Sequence, residues 1–284
     1  MTGNKLCAIF LCGVLLLSVP VLSQDTLKTG WANSIVGNLN FSQSSFSNWT
    51  QGGDDNFAGQ LDVVGKFVNN QKKYNWANSG KISYGRIKIS DQESRKSADE
   101  IRLESVYTYK LGTLINPYVA VTGVTQFTTG YDYKTDPKTE ISKFLDPGYF
   151  TQSIGVGYEP GKDFKTRLGA AFKETVADKF AARYSDDPKT LNEIEKVRFE
   201  PGIESVTDFS RKLSENILFT TKLELFSNVK AADEIDVRWD NIFSAKISKF
   251  IGVGFNYQLL YDKDISLKRQ VKQVLSAGLT YAFL

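Results

Sequence analysis

The chain has 284 residues, of which 41% are hydrophobic and 24% charged, with a formal net charge of +3 and no histidine. A charge this close to balance gives no support for a nucleic-acid partner or a polybasic membrane anchor. The lack of histidine excludes Ser-His-Asp catalysis, histidine metal sites and the commonest general base at neutral pH. We therefore expect no enzyme activity and no cofactor.

Residues 1–23 have the pattern of a secretory signal peptide. Leu6 to Leu17 forms the apolar core, and small residues precede a cleavage site after Ser23. A single membrane helix is the alternative, but the apolar run is too short for one and ends at Pro20. Cleavage would leave residues 24–284 as one mature domain. It would also remove both cysteines of the chain, Cys7 and Cys12.

The mature chain is predicted to form about twelve strands with alternating apolar and polar residues. The clearest alternation begins at Ile251, where Ile251, Val253 and Phe255 share one face and Gly252 and Gly254 share the other. About eleven residues tilted by about 45° would cross the hydrocarbon core of a bilayer. In chain order, the predicted strands are 31–47, 57–69, 74–89, 99–111, 117–131, 148–158, 163–182, 194–210, 216–228, 234–248, 251–262 and 268–284, with a register slip in the third near Tyr84 to Ile87.

The predicted connections alternate between short turns and longer loops, as they do in outer-membrane barrels. The longest are Asp91 to Ala98, Asp132 to Pro147 and Tyr184 to Glu193. Lipid offers the backbone no hydrogen bonds, so such strands can span a membrane only within a closed barrel. We therefore predict an all-β, transmembrane, antiparallel up-and-down β-barrel in the outer membrane of a Gram-negative cell.

A secreted sandwich or lipocalin-like barrel, with its apolar face turned inward, is the soluble alternative. Alternation alone does not separate the two, but twelve long strands with a charged second face do not suit a small soluble core. Aromatic residues also lie near the predicted periplasmic ends of the strands, as in a membrane girdle. They are Trp31, Trp76, Tyr109, Tyr118, Tyr158, Phe164, Tyr281 and Phe283.

Charged residues of both signs lie on the polar faces of the strands, which would line the lumen. They fit a polar pore whose field filters solutes. They also fit a salt-bridged plug, because a barrel of about twelve strands can be filled by side chains. The candidate lumen charges are Arg102, Glu104, Arg167, Arg198, Glu200, Glu204, Arg238 and Asp240.

Three functions stay open at this point. The first is a narrow pore, or a barrel that binds or transports solutes. The second is a closed structural or scaffold barrel in an outer-membrane assembly, and the third is a membrane-embedded hydrolase that uses a carboxylate pair. The expected partners are outer-membrane lipid and the barrel-insertion machinery, with other outer-membrane proteins left open and no nucleic acid.

Acidic residues in the predicted loops offer the oxygen ligands that Ca²⁺ prefers. No EF-hand spacing is present, and solvated loop charges are the simpler interpretation. No metal site is predicted. The acidic loop residues are Asp54, Asp55, Asp132, Asp136, Asp146, Asp186 and Asp187.

A distinctive motif lies in the first predicted external turn, where Asn48-Trp49 is followed after two residues by Gly52-Gly53. The glycines allow positive φ in a tight turn, and Asn48 can hydrogen-bond its own backbone. Trp49 could be a structural rim residue, or it could form a constriction or contact a partner. The motif resembles that of an uncharacterised outer-membrane barrel family of Bacteroidota, and the resemblance implies fold and location without a substrate.

Overall fold

The computed structural model describes residues 29–45, 47, 54–187, 190, 192–231, 235–263 and 266–283. Twelve strands form one closed antiparallel barrel in which the last strand pairs with the first, and two short strands form a separate hairpin. The predicted all-β, twelve-stranded up-and-down barrel is confirmed. The strands are β1 (Gly30–Ser44), β2 (Asn56–Asn70), β3 (Tyr74–Ile89), β4 (Arg95–Tyr109), β5 (Ile115–Thr125), β6 (Gly130–Asp132), β7 (Thr139–Ser142), β8 (Gly148–Gly161), β9 (Phe164–Val176), β10 (Val197–Lys212), β11 (Ile217–Asn228), β12 (Ile235–Lys246), β13 (Ile251–Tyr261) and β14 (Gln270–Ala282).

The outer face of the barrel is apolar and the inner face is polar. Leu103 and Ile154 are 59% and 62% exposed on the outside, whereas Glu200 and Glu204 are 3% and 7% exposed inside. Soluble proteins place large apolar side chains in the core and leave charges in water. Here the arrangement is inverted, as the alternation along each strand predicts.

Two predicted strands end earlier than expected, and the residues beyond them fold into the external loops. The fifth was predicted to reach residue 131, but β5 ends at Thr125 and the β6–β7 hairpin follows. The seventh was predicted to reach 182, but β9 ends at Val176 and a short helix, α1 (Ala181–Tyr184), follows. No helix among the described residues is long and apolar enough to cross a membrane.

The register slip predicted in the third strand is confirmed. The pairing of β3 with β4 shifts between Gly85 and Arg86. Gly85 lies close to the neighbouring strand, since an added Cβ would be 3.2 Å from the Gly59 carbonyl oxygen. Gly59 belongs to β2, so the glycine at this bulge allows a close approach to the strand on the other side of β3.

One residue assigned to the aromatic girdle faces the other way. Tyr118 is only 3% exposed and lies inside the barrel, so its placement in the girdle is wrong. It shares its strand face with the buried Ala120 and Thr122, while the exposed Val119 lies on the opposite face. The alternation rule, applied to β5 alone, would have placed Tyr118 correctly. Six of the other predicted girdle aromatics are exposed: Trp31, Trp76, Tyr109, Tyr158, Tyr281 and Phe283.

Candidate functional site

Ion pairs join opposite walls of the barrel across the lumen. Arg238 of β12 lies six strands from β4 in the barrel order, which is the opposite wall of a twelve-stranded barrel. Its Nη2 donates to Glu100 Oε2 at 2.8 Å. Lys222 of β11, five strands from β4, donates from Nζ to Glu104 Oε2 at 2.5 Å. The two walls therefore meet near the axis.

Glu104 and Glu224 connect these pairs into one network, here called the central network. Glu104 also accepts from Arg167 Nη2 at 2.8 Å, and Arg167 lies 3.6 Å from Glu204. The carboxylate of Glu224 pairs with Arg102 and lies within 4.0 Å of both Lys222 and Arg238. Each of these cations thus has at least one carboxylate beside it. The network also includes Asp240, 2.9 Å from Arg238 Nε, Lys81, 3.1 Å from Glu100, and Asp208, 3.8 Å from Lys222.

A second cluster surrounds Lys173 of β9. Its Nζ donates to Asp236 at 2.6 Å and to Asp262 at 2.9 Å, although these residues come from β12 and the end of β13. Glu200 is 3.8 Å away and also lies 3.4 Å from Arg198. All eight candidate lumen charges thus lie in one of these two clusters. Asp262 was not among the candidates, although it lies on the polar face of the predicted strand 251–262.

Glycines on the inner face make room for two aromatic rings. A Cβ on Gly169 would lie 2.6 Å from the Tyr118 hydroxyl, and one on Gly202 would lie 2.5 Å from Phe226 Cζ. The Tyr118 ring lies 5.7 Å from the Arg167 guanidinium carbon. Rings as well as ion pairs therefore fill this side of the lumen, and both aromatics could have been placed there from strand alternation.

The inner face of β13, β14 and β1 is different, because it carries small or uncharged polar residues along most of its length. Thr280 donates to the Asn38 side chain at 2.8 Å, and Ser276 donates to the Gly254 carbonyl at 3.3 Å. Asn38, Ser276 and Gly254 are partly exposed to the lumen. The ion pairs are therefore concentrated on one side of the barrel.

Asp146 ties two external loops together. Its buried carboxylate accepts backbone N–H groups from Asp178 and Lys179 at 3.0 Å and from Phe180 at 3.3 Å. The Tyr184 hydroxyl, whose pKa is raised by burial, donates to the Ile141 carbonyl at 2.9 Å. Asp146, one of the acidic loop residues, thus has a role in loop structure. Among the described residues, no group of three or more acidic side chains is arranged to hold a metal ion.

A third external loop joins the same assembly. Asp99, near the external end of β4, accepts the backbone N–H groups of Phe127 and Thr128 at 2.7 and 2.9 Å. Lys138 pairs with Glu93 and lies 4.6 Å from the centre of the Tyr131 ring. The loops after β3, β5 and β9 therefore contact one another and form one assembly. Two sets of predicted features fall outside the described residues: the signal peptide, and the motif residues Asn48, Trp49, Gly52 and Gly53.

Comparison with protein families gives one match. Residues 41–131 match the model of a family described as "Protein of unknown function (DUF3078)". The matched segment covers β2 to β5 and the described end of β1. No curated protein matches the chain.

Solved barrels resemble the chain at low identity. The translocator domain of autotransporter NalP from Neisseria meningitidis is 12% identical, with 90% of each chain covered and a TM-score of 0.41. The NanC porin is 8% identical, with 88% of this chain and 97% of the porin covered and a TM-score of 0.39. An outer membrane channel from Pseudomonas putida F1 is 9% identical, with 92% and 98% covered and a TM-score of 0.41.

Proposed function

We propose that this protein is an outer-membrane β-barrel whose lumen is held closed by the central network and which acts as a structural or scaffold barrel. The observation that supports this most directly is the 2.8 Å contact between Arg238 and Glu100 from opposite walls. A water-filled pore needs a free path along its axis, and charged side chains in contact block that path at their level.

The outer-membrane location is supported by two features. The outer face carries a belt of exposed apolar side chains, which would face hydrocarbon, and residues 1–23 have the pattern of an export signal. Outer-membrane lipid and the barrel-insertion machinery are then its proposed partners. The expected result is that the mature chain, cleaved after Ser23, sediments with outer membranes and leaves them only in detergent. Recovery in the aqueous fraction would contradict the location.

A narrow solute passage is the second candidate. It is favoured by the uncharged inner face of β13, β14 and β1, where Asn38, Ser276 and Gly254 are partly exposed beside the ion pairs. Such a lining would bind or pass small polar solutes through hydroxyl and amide groups. The hydrolase hypothesis is less well supported, because the carboxylates of Glu100 and Glu104 each accept from a cation.

Conductance in a planar bilayer separates the first two candidates. The purified wild-type barrel is expected to show no steady single-channel steps. The double variant Glu100→Ala/Arg238→Ala is expected to conduct, because it removes both side chains that meet across the axis and leaves the net charge of the lumen unchanged. The control is Asp178→Ala/Lys196→Ala, which removes an external ion pair whose side chains are 66% and 68% exposed. Steady steps from the wild type would favour the narrow passage.

A further inference from the structure

The barrel closes between β1 and β14 through an unusually short ladder. Five pairs join these strands, from Val36 with Ala282 to Asn40 with Gly278. By comparison, ten pairs join β13 with β14 and fifteen join β1 with β2. Beyond Asn40 and Gly278 both strands continue toward the external side, but among the described residues no ladder pair connects them.

Gly278 marks the point where the strands separate. A Cβ at this position would lie 2.6 Å from Asn40 Oδ1 and 2.8 Å from Asn40 Cα. The two backbones are therefore in close contact at the last pair and diverge directly above it. We call the residues beyond this point the free edges: Phe41–Ser44 of β1 and Gln270–Ala277 of β14.

Hydrogen-bond direction shows which backbone groups the free edges present to each other. Phe283 donates its N–H to the Ile35 carbonyl at 2.8 Å, so the odd-numbered residues of β1 point their polar groups toward β14. Thr280 donates to the Phe250 carbonyl on the other side, so the odd-numbered residues of β14 point toward β1. The facing groups belong to Phe41, Gln43, Val271, Gln273, Leu275 and Ala277.

The side chains beside this gap in the ladder are exposed on both faces of the wall. Leu275, on the outer face, is 76% exposed. Ser42 and Lys272 are at even-numbered positions, whose side chains point into the lumen in these two strands, and they too are exposed. Both faces of the free edges are therefore accessible to a ligand.

We propose that the free edges are a docking site for an extended segment of a partner polypeptide that carries acidic side chains. An added strand would supply the missing backbone hydrogen bonds, as in β-strand addition. Lipid could not supply them, and unpaired backbone groups in hydrocarbon are costly. The inference rests on the proposed scaffold function, for which it names the kind of partner.

The length and charge of the edges define the partner segment. Four residues on β1 span about 13 Å and eight on β14 about 26 Å, which is room for a strand of about four to eight residues. Residues 268–272 of this chain include Lys268, Arg269 and Lys272 and no acidic residue. A segment that alternates acidic and apolar residues would place its carboxylates toward Lys272 and its apolar side chains outward.

Disulfide trapping tests whether the gap exists. The variant Ser42→Cys/Ser276→Cys places cysteines where the ladder would continue, and Asn38→Cys/Thr280→Cys places them at a pair that forms. Both positions face the lumen in non-hydrogen-bonded register, whose Cα separation of about 4.5 Å suits a disulfide. The control pair is expected to oxidise in air in the membrane-embedded barrel while the test pair stays reduced. Equal oxidation of the two pairs would overturn the inference.

A peptide probe tests the docking. Fluorescence anisotropy would follow a labelled peptide of about eight residues, alternating glutamate and valine, on the barrel in nanodiscs. It is expected to bind the wild type, and its affinity should fall at least about tenfold when the valine nitrogens are methylated, because those N–H groups can no longer pair with the edges. Forced oxidation of Ser42→Cys/Ser276→Cys should weaken binding in the same way, whereas oxidised Asn38→Cys/Thr280→Cys should bind normally.

Three outcomes would overturn the docking site. The first is the absence of peptide binding. The second is equal binding of the methylated peptide, which would indicate adsorption by charge alone. The third is a barrel dimer that the peptide cannot displace, which would indicate that a second copy occupies the edges. Failure of the proposed function would be detected by different experiments from those that test the docking site. A barrel that conducts steadily, or that is missing from the outer-membrane fraction, would contradict that function, while the trapping experiment in detergent would still report on the gap.

Discussion

At the scale of single residues, the buried carboxylate of Glu104 matters most, because two cations depend on it. It contacts Arg167 and Lys222, whose side chains are 11% and 21% exposed. Without Glu104 each cation keeps only a longer carboxylate contact, from Arg167 to Glu204 and from Lys222 to Glu224, both at 3.6 Å. Donors that lose a hydrogen bond in a poorly solvated site lower stability.

We expect Glu104→Ala to lower the free energy of unfolding by about 2–3 kcal/mol, because two cations lose their shortest hydrogen bonds to it. The measurement is the urea midpoint for loss of the folded, heat-modifiable band on gels. The control is Glu159→Ala, which removes a partner of Lys165 in a pair whose side chains are 46% and 54% exposed, and which should change stability by no more than about 1 kcal/mol. Equal effects of the two substitutions would contradict a buried network.

The inner-face glycines allow a second prediction at this scale. Gly169→Val should destabilise the barrel by about 1–3 kcal/mol, because the Ile154 carbonyl oxygen and the Tyr118 hydroxyl would lie 2.4 and 2.6 Å from its Cβ. Gly161→Val is the matched control, since no atom lies within 4 Å of a Cβ there. The same urea midpoint reports both. In Gly169→Val, a compensating Tyr118→Ala should restore part of the loss.

At the scale of elements, Asp146 is the point at which the loop after β5 is fixed to the loop after β9. It accepts three backbone N–H groups from residues 178–180. A carboxylate that accepts several backbone N–H groups fixes the conformation of the loop, because each N–H group would otherwise need water as its acceptor. The loop after β9 therefore owes much of its order to a residue more than thirty positions away in sequence.

We expect Asp146→Ala to release this loop while leaving the strands intact. The substitution should make residues 178–187 accessible to a protease added outside intact cells, with cleavage at Lys179 or Arg183 by trypsin. Asp91→Ala, in an exposed external turn, serves as the control and should leave the loop resistant. Unchanged resistance of Asp146→Ala would show that other contacts, such as the one between Tyr184 and Ile141, are sufficient.

Strand alternation predicts the elements of this barrel well, and it predicts the loops poorly. Each strand face has a fixed two-residue period, so the inner position of Arg167 or Glu204 follows from its own strand. The partners of such residues do not follow, because Arg167 bonds to Glu104 of β4, which lies three strands away in the barrel order. The β6–β7 hairpin and the role of Asp146 depend on contacts between loops, which have no period at all.

At the scale of the whole molecule, the exposed apolar belt decides whether the barrel belongs in a membrane. We expect Leu103→Arg to impair insertion and stability by about 2–4 kcal/mol, because a charge at the lipid face of a strand is destabilising near the bilayer centre. Leu111→Arg is the control, since Leu111 is as exposed, at 60% against 59%, but lies in a turn after β4. Equal tolerance of both substitutions in a folding assay with lipid vesicles would contradict the membrane location.

Pairing of β1 with β14 also has a kinetic consequence. These strands are the most distant in sequence, and Asn38 and Thr280 are separated by 242 positions. Contacts between residues distant in sequence form late in folding. The chain loses conformational entropy in closing so large a loop before the contact can contribute any stabilisation. All the other neighbouring strands can pair beforehand with strands close to them in sequence. Pairing of β1 with β14 should therefore be the slowest folding step, and its rate should respond most to substitutions at Gly278.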